Sequence, residues 1–247
     1  MLVFGFVAAV LFALVACCWF LAPRVSSDCR LGVSRADIPE NMFAQEARIV
    51  HVMPIVTATG YKLITLPQAL KDALVAACVD RFQEETPTGY VWSENDSTPT
   101  SECVYLYELS HALKEQVDAF VRSEIIKWVP CASDLELTSM YGPREYARGA
   151  VLRPHVDRTL THFLSAVIHI SSSGMENPWY LDIWPHTGGH EKIDLSQEAD
   201  VILYESASMT HARVAPLRGD SYTNLFVHYR TPWWEDAAAL KLKLLTD

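Results

Sequence analysis

From Leu135 onward the chain is a succession of short β-rich runs with no room for a helix between any two of them, and this spacing restricts the possible folds more than any other feature. The runs read LELTSMY, AVLRPHV, FLSAVIHI, WYLDIWP, ADVILYES, SMTHARV and YTNLFVHY. β-Branched and aromatic residues suit a pleated, half-buried surface, and many strands joined by turns close into a sandwich or barrel. The upstream half follows a different rule. Leu66-Pro67 opens a segment with apolar residues at Leu70, Leu74, Cys78 and Phe82, the period of an amphipathic helix with proline in its first turn. A second helix is expected from Glu108 to Trp128, with Leu109, Leu113, Val117, Phe120, Ile125 and Trp128 on one side and Pro130 as its stop. Between 24 and 60, Pro39 and Pro54 break any long period, which predicts a tether leading into a first strand. The tail EDAAALKLKLLTD reads as a short surface helix. Gly188-Gly189 in PHTGGH reads as a hairpin tip, which accounts for His186 and His190 without a ligand role.

Leu2 to Ala22 carries no charge, enough for the ~20 residues that cross a bilayer core as a helix, and it has no clear small-x-small cleavage site. The expectation is one transmembrane helix over residues 1–23, and hence a single-pass membrane protein of the endoplasmic reticulum or secretory pathway. Orientation stays open: Arg24, Arg30 and Arg35 favour a cytoplasmic domain, whereas the sequon Asn95-Asp96-Ser97 has meaning only in a lumenal one. A net charge of -10 argues against nucleic acid as a partner, since phosphate neutralisation needs clustered Lys and Arg. The six cysteines form no C-x-x-C metal pattern, and whether they pair is left undecided.

The chemistry-bearing stretch is LRPHVDR at residues 152–158. Positions i and i+2 of a strand share a face, so His155 and Asp157 can present an imidazole and a carboxylate to one point. His211, in the later run SMTHARV, supplies a third ligand. Two histidines and one carboxylate on one face of an octahedral ion leave three positions open, as non-haem Fe(II) oxygenases require. A zinc hydrolase would more often keep a tetrahedral set with one open position.

Residues 135–234, roughly two-fifths of the chain, resemble the prolyl 4-hydroxylase-like branch of the Fe(II)/2-oxoglutarate dioxygenases. The resemblance is carried by TSMYGPREYARGAVLRPHVDR, PWYLDIWP and LSQEADVILYESASMTHARVAPLRGDSYTNLFVHYR. It implies an α+β, mainly β chain with a double-stranded β-helix (jelly roll) core buttressed by N-terminal helices. It also implies iron on His155, Asp157 and His211, with 2-oxoglutarate and O2 as co-substrates and ascorbate as an optional reductant. The implied reaction is hydroxylation of a C–H bond in a peptide or protein substrate, proline by default, with release of succinate and CO2. A carboxylate at Asp157 favours hydroxylation over halogenation. The expected divisions are a transmembrane anchor or uncleaved signal (1–23), a tether and first strand (24–60), a dioxygenase domain (61–235, helical to 130 and jelly roll from 131) and a tail (236–247).

One departure stands out. The family commonly places Lys or Arg about ten positions after the distal histidine, where this chain has Ser221. Arg213, two positions after His211 and on the same strand face, is the candidate to grip the distal carboxylate of 2-oxoglutarate with its guanidinium fork; Arg218 beside Gly219 is weaker. Tyr146, nine residues before His155, matches the family tyrosine that reaches the co-substrate. Arg158, Tyr222 and Asn224 are candidate pocket or substrate residues, while His162, His169 and His228 read as ordinary strand or surface histidines. The missing basic residue at Ser221 also motivates an alternative, a catalytically silent jelly roll serving as a binding or scaffold domain.

Overall fold

The computed structural model describes residues 31–83, 90–95, 99–243 and 245. Its centre is a pair of antiparallel sheets. The larger has seven strands in the order β3-β12-β9-β14-β7-β6-β4: β3 (Tyr61–Ile64), β4 (Arg81–Gln83), β6 (Val104–Tyr107), β7 (Glu136–Ala147), β9 (Leu164–Ser173), β12 (Val201–Tyr204) and β14 (Ser221–Arg230). The smaller has five, in the order β11-β10-β13-β8-β5: β5 (Val91–Ser93), β8 (Ala150–His155), β10 (Leu181–Trp184), β11 (Glu191–Ile193) and β13 (Thr210–Arg213). β10 and β11 pair antiparallel around Gly188-Gly189, the hairpin that the sequence predicts.

Strand alternation sorts the side chains of the larger sheet. Ala166, Ile168 and Ile170 of β9, with Leu225, Val227 and Tyr229 of β14, face outward into the main apolar core. Their neighbours Ser165, Val167 and His169, and Tyr222, Asn224, Phe226 and His228, take the opposite face, because successive residues of a strand point to opposite sides. Two helices cover the outer face: α2 (Gln68–Ala77) and α3 (His111–Trp128). In α3, Leu113, Val117, Val121 and Ile125 are buried at intervals of one helical turn, and the Ser110 side chain accepts from the Leu113 N–H at 3.3 Å as an N-cap. Each fully buried side chain of this size contributes about 2 kcal/mol of transfer free energy.

Four expectations need correction. The first helix stops at Ala77, with Cys78 already non-helical, and Phe82 lies exposed in β4 paired to β6; cross-strand pairing of Arg81 with Tyr107 overrides the helical period. Residues 24–60 are not a bare tether from residue 31 on. There β1 (Gly32–Val33) pairs with β2 (Pro54–Ile55), α1 (Ala44–Val50) lies between them, and the buried Glu205 carboxylate accepts the N–H groups of Val56 and Thr57, each at 2.8 Å. The tail is more than a surface helix: α4 (Pro232–Lys243) begins three residues before Glu235, buries Trp233 and Trp234, and stacks Trp234 on Phe163 with centroids 4.1 Å apart. Finally, among the described residues no helix is long and apolar enough to cross a membrane. The expected transmembrane element, and the single-pass secretory localisation built on it, therefore lack support; the stretch Leu2 to Ala22 lies outside the described residues. Cys131 is disulfide-bonded, and Cys78 and Cys103 are free thiols.

Candidate metal centre and its cavity

β8 and β13 run side by side with His155 directly opposite His211, so cross-strand pairing alone brings the two rings to a centroid distance of 4.2 Å. Asp157 lies two residues past the end of β8, where its N–H donates to the Ser206 carbonyl at 2.8 Å. One ligand atom from each of these three residues falls within 4.8 Å of the others. Both imidazoles are turned by a carbonyl two residues earlier: His155 Nδ1 lies 2.7 Å from the Arg153 oxygen and His211 Nδ1 lies 3.1 Å from the Met209 oxygen. A carbonyl only accepts, so each Nδ1 carries the hydrogen and each Nε2 keeps its lone pair for a metal. The Tyr90 ring stacks on His155 at 4.1 Å, and its hydroxyl donates to Glu46 of α1 at 2.9 Å.

Electrostatics suits a cation. Burial, reinforced by His211, holds His155 down at about 3, so the ring is a neutral ligand at physiological pH. Burial pushes the Asp157 carboxyl up, but the facing His211, His228 and His155 outweigh it and hold it well below the usual carboxylate range. His228 is likewise held at about 3 by burial, and His162 is lowered for the same reason.

The three groups line the wall of a 610 Å³ cavity between the sheets. Arg213, 2 % exposed, lines it too, as Tyr146 and Asn224 do. The Arg213 guanidinium lies between the rings of Trp179 (4.3 Å) and Tyr222 (4.5 Å) and donates to the Trp179 carbonyl. With the Asn224 amide oxygen turned toward it, Arg213 Nη2 donates at 3.2 Å. Arg158, a candidate pocket residue, lines the cavity while remaining exposed. Tyr222 packs behind Arg213 in the core rather than on the cavity wall.

Sequence reasoning missed four residues. Arg144 lines the cavity beside Tyr146, with Nη1 3.5 Å from the Tyr146 hydroxyl, and sits opposite Asn224 across the β7–β14 ladder. Tyr204 donates to Asp157 Oδ2 at 3.1 Å. His162 and His228, read as ordinary, both line the cavity and stack on each other at 3.8 Å. The signal for Arg144 and His228 was present: each falls on the period-two face that already holds Tyr146 or Tyr222 and Asn224.

No family model matches this chain, and no curated protein matches it. Solved structures do. It is similar to a prolyl-4-hydroxylase from Pseudomonas putida (18 % identity, 70 % of this chain and 92 % of that one, TM-score 0.46). It is also similar to a prolyl hydroxylase from Trichoplax adhaerens in complex with a hypoxia inducible factor peptide fragment (15 %, 73 % and 86 %, TM-score 0.45). A third is an oxidoreductase of the 2OG-Fe(II) oxygenase family from Burkholderia pseudomallei (10 %, 78 % and 95 %, TM-score 0.45). Likeness at this distance carries no chemical argument; the chemistry rests on the cavity itself.

Proposed function

We propose that this protein is an Fe(II)- and 2-oxoglutarate-dependent dioxygenase that hydroxylates an unactivated C–H bond, with a peptidyl residue such as proline as its substrate. The reading is carried by one observation: two imidazole nitrogens and a carboxylate oxygen converge within 4.8 Å on the wall of a cavity that also contains a buried guanidinium. The donor set fits ferrous iron, since two nitrogens and one oxygen on one side leave room for a chelating co-substrate and O2. When bound, iron with 2-oxoglutarate and O2 supplies an oxidant able to take hydrogen from a C–H bond, releasing succinate and CO2.

His155, Asp157 and His211 hold the metal, the outer nitrogens of the two histidines already satisfied by main chain so that neither ring needs to reorient on loading. Arg213 grips the distal carboxylate, held at its Trp179 and Tyr222 faces so that its fork is fixed before the co-substrate arrives. Tyr146 adds a hydroxyl and Arg144 a second cation, which suits a dianion inside a chain whose own net charge is -10. The apolar walls Leu152, Val167, Leu181 and Phe226 keep water from the reacting face. Arg158, exposed on the cavity lining, meets the substrate. The peptidyl substrate rests on the sequence resemblance of residues 135–234.

The test is anaerobic loading of purified protein with Fe(II), addition of 2-oxoglutarate, O2 and peptide pools, and measurement of succinate together with substrate mass. Iron-dependent succinate and a gain of one oxygen atom are expected. An iron-loaded protein that makes neither would be a silent jelly-roll binding domain.

A further inference from the structure

The two oxygens of Asp157 face different company. Oδ1 is the one near both ligand histidines, 3.9 Å from His155 Nε2 and 3.7 Å from His211 Nε2. Oδ2 is the one near Tyr204 and His228: it accepts from the Tyr204 hydroxyl at 3.1 Å and lies 3.7 Å from His228 Nδ1. We infer that Tyr204 and His228 are positioning residues that hold Asp157 Oδ2 off the metal, keep the carboxylate monodentate through Oδ1, and so preserve the open coordination positions. This rests on the metal site proposed above.

A chain of hydrogen bonds makes the inference specific about one proton. The Ser206 hydroxyl donates at 2.8 Å to the His162 carbonyl, which can only accept. A hydroxyl has one hydrogen, so at its 2.6 Å contact with Ser165 the Ser206 oxygen is the acceptor and Ser165 the donor. Ser165, having given its own hydrogen, must then accept at its 2.7 Å contact with His228 Nδ1. His228 is therefore fixed with hydrogen on Nδ1, the nitrogen that faces Asp157 Oδ2. That hydrogen is spent on Ser165, so Tyr204 is the hydrogen-bond donor to Asp157 Oδ2, and His228 turns toward the same oxygen, 3.7 Å away, a nitrogen that carries a hydrogen and has no free lone pair to repel it. Ser206 serves twice, since its carbonyl also accepts the Asp157 N–H. A bidentate Asp157 would draw Oδ2 away from the hydroxyl of Tyr204, a residue only 2 % exposed.

The first readout needs no metal. In metal-free protein labelled with 15N-histidine, long-range proton–nitrogen spectra should show His228 protonated on Nδ1, and Ser206→Ala should populate the Nε2–H form. Wild type protonated on Nε2 overturns the inference. The second readout is Co(II) or Fe(II) affinity by anaerobic titration. Tyr204→Phe and His228→Leu should each weaken binding, by about 10-fold to 100-fold, and should change the Co(II) absorption spectrum as the coordination number rises. His228→Asn, whose amide nitrogen takes the place of Nδ1, should restore most of the affinity. Equal losses in the Asn and Leu variants, or wild-type Co(II) spectra in Tyr204→Phe and His228→Leu, would reduce the pair to packing. If wild-type protein binds neither ion, the proposed metal centre fails, while the tautomer result still stands or falls alone.

Discussion

The metal-facing wall of the cavity and its arginine pocket solve the same problem, fixing a polar side chain inside a barrel, by different means. At the metal wall each histidine is turned by the carbonyl two residues before it, Arg153 for His155 and Met209 for His211, so orientation is written within three consecutive residues. In the arginine pocket, Arg213 of β13 is held by Trp179, Tyr222 and Asn224, which come from a loop and from β14. A locally fixed group withstands change elsewhere; a group fixed by distant partners does not. The two ends of one cavity should therefore fail separately.

The largest break of that comparison is removal of a ligand. His211→Ala or Asp157→Ala should abolish Fe(II) binding in anaerobic titration, a loss beyond the about 10- to 100-fold typical of outer partners, with the far-ultraviolet dichroism unchanged. Retained affinity in His211→Ala would remove the metal centre. Next, Arg213→Ala should raise the 2-oxoglutarate requirement by about 100-fold, the effect of losing a buried charged partner, and leave metal affinity alone. Arg144→Ala should do the same to a smaller degree. If Arg144→Ala proves the more damaging, the distal carboxylate sits against Arg144 instead.

A smaller effect sharpens the contrast through pH. His169 lies in the barrel against Tyr222, and its ring nitrogens have no partner among the described residues. Burial, helped by Arg213 and Lys71, lowers it from 6.5 to about 4. The unfolded chain thus takes up the proton first. Stability is whole above pH about 6.5 and falls as pH drops toward 4, by at most about 1.4 kcal/mol per pH unit. Thermal melts of His169→Leu should show a flatter acid limb than wild type; an unchanged limb would place the acid sensitivity elsewhere. The smallest change is Ser110→Ala at the start of α3, with an expected loss of about 1 kcal/mol in denaturant unfolding and no change in either metal or co-substrate binding.

Local encoding also explains what could be read from residues alone. His155, Asp157 and His211 were legible because a short motif and one later strand contain all that orients them. Arg213 was placed inside the barrel by strand alternation, but its stacking partner Trp179 lies 34 positions earlier and announces nothing. Nothing in VILYES singles out Tyr204, because only the approach of β12 to the end of β8 gives its hydroxyl a carboxylate. His228 was misread although alternation from Asn224 puts it inside. Helical period failed at Phe82, where pairing with β6 decided the matter, and prolines at 39 and 54 concealed an ordered arm.

That arm ends on Glu205, whose buried carboxylate clasps Val56 and Thr57, and the next residue, Ser206, carries the carbonyl that anchors Asp157. The N-terminal arm and Asp157 therefore rest on two adjacent residues, Glu205 and Ser206. Glu205→Gln, which loosens the clasp, is expected to displace Asp157 as well, so the arm and the candidate ligand should not vary independently.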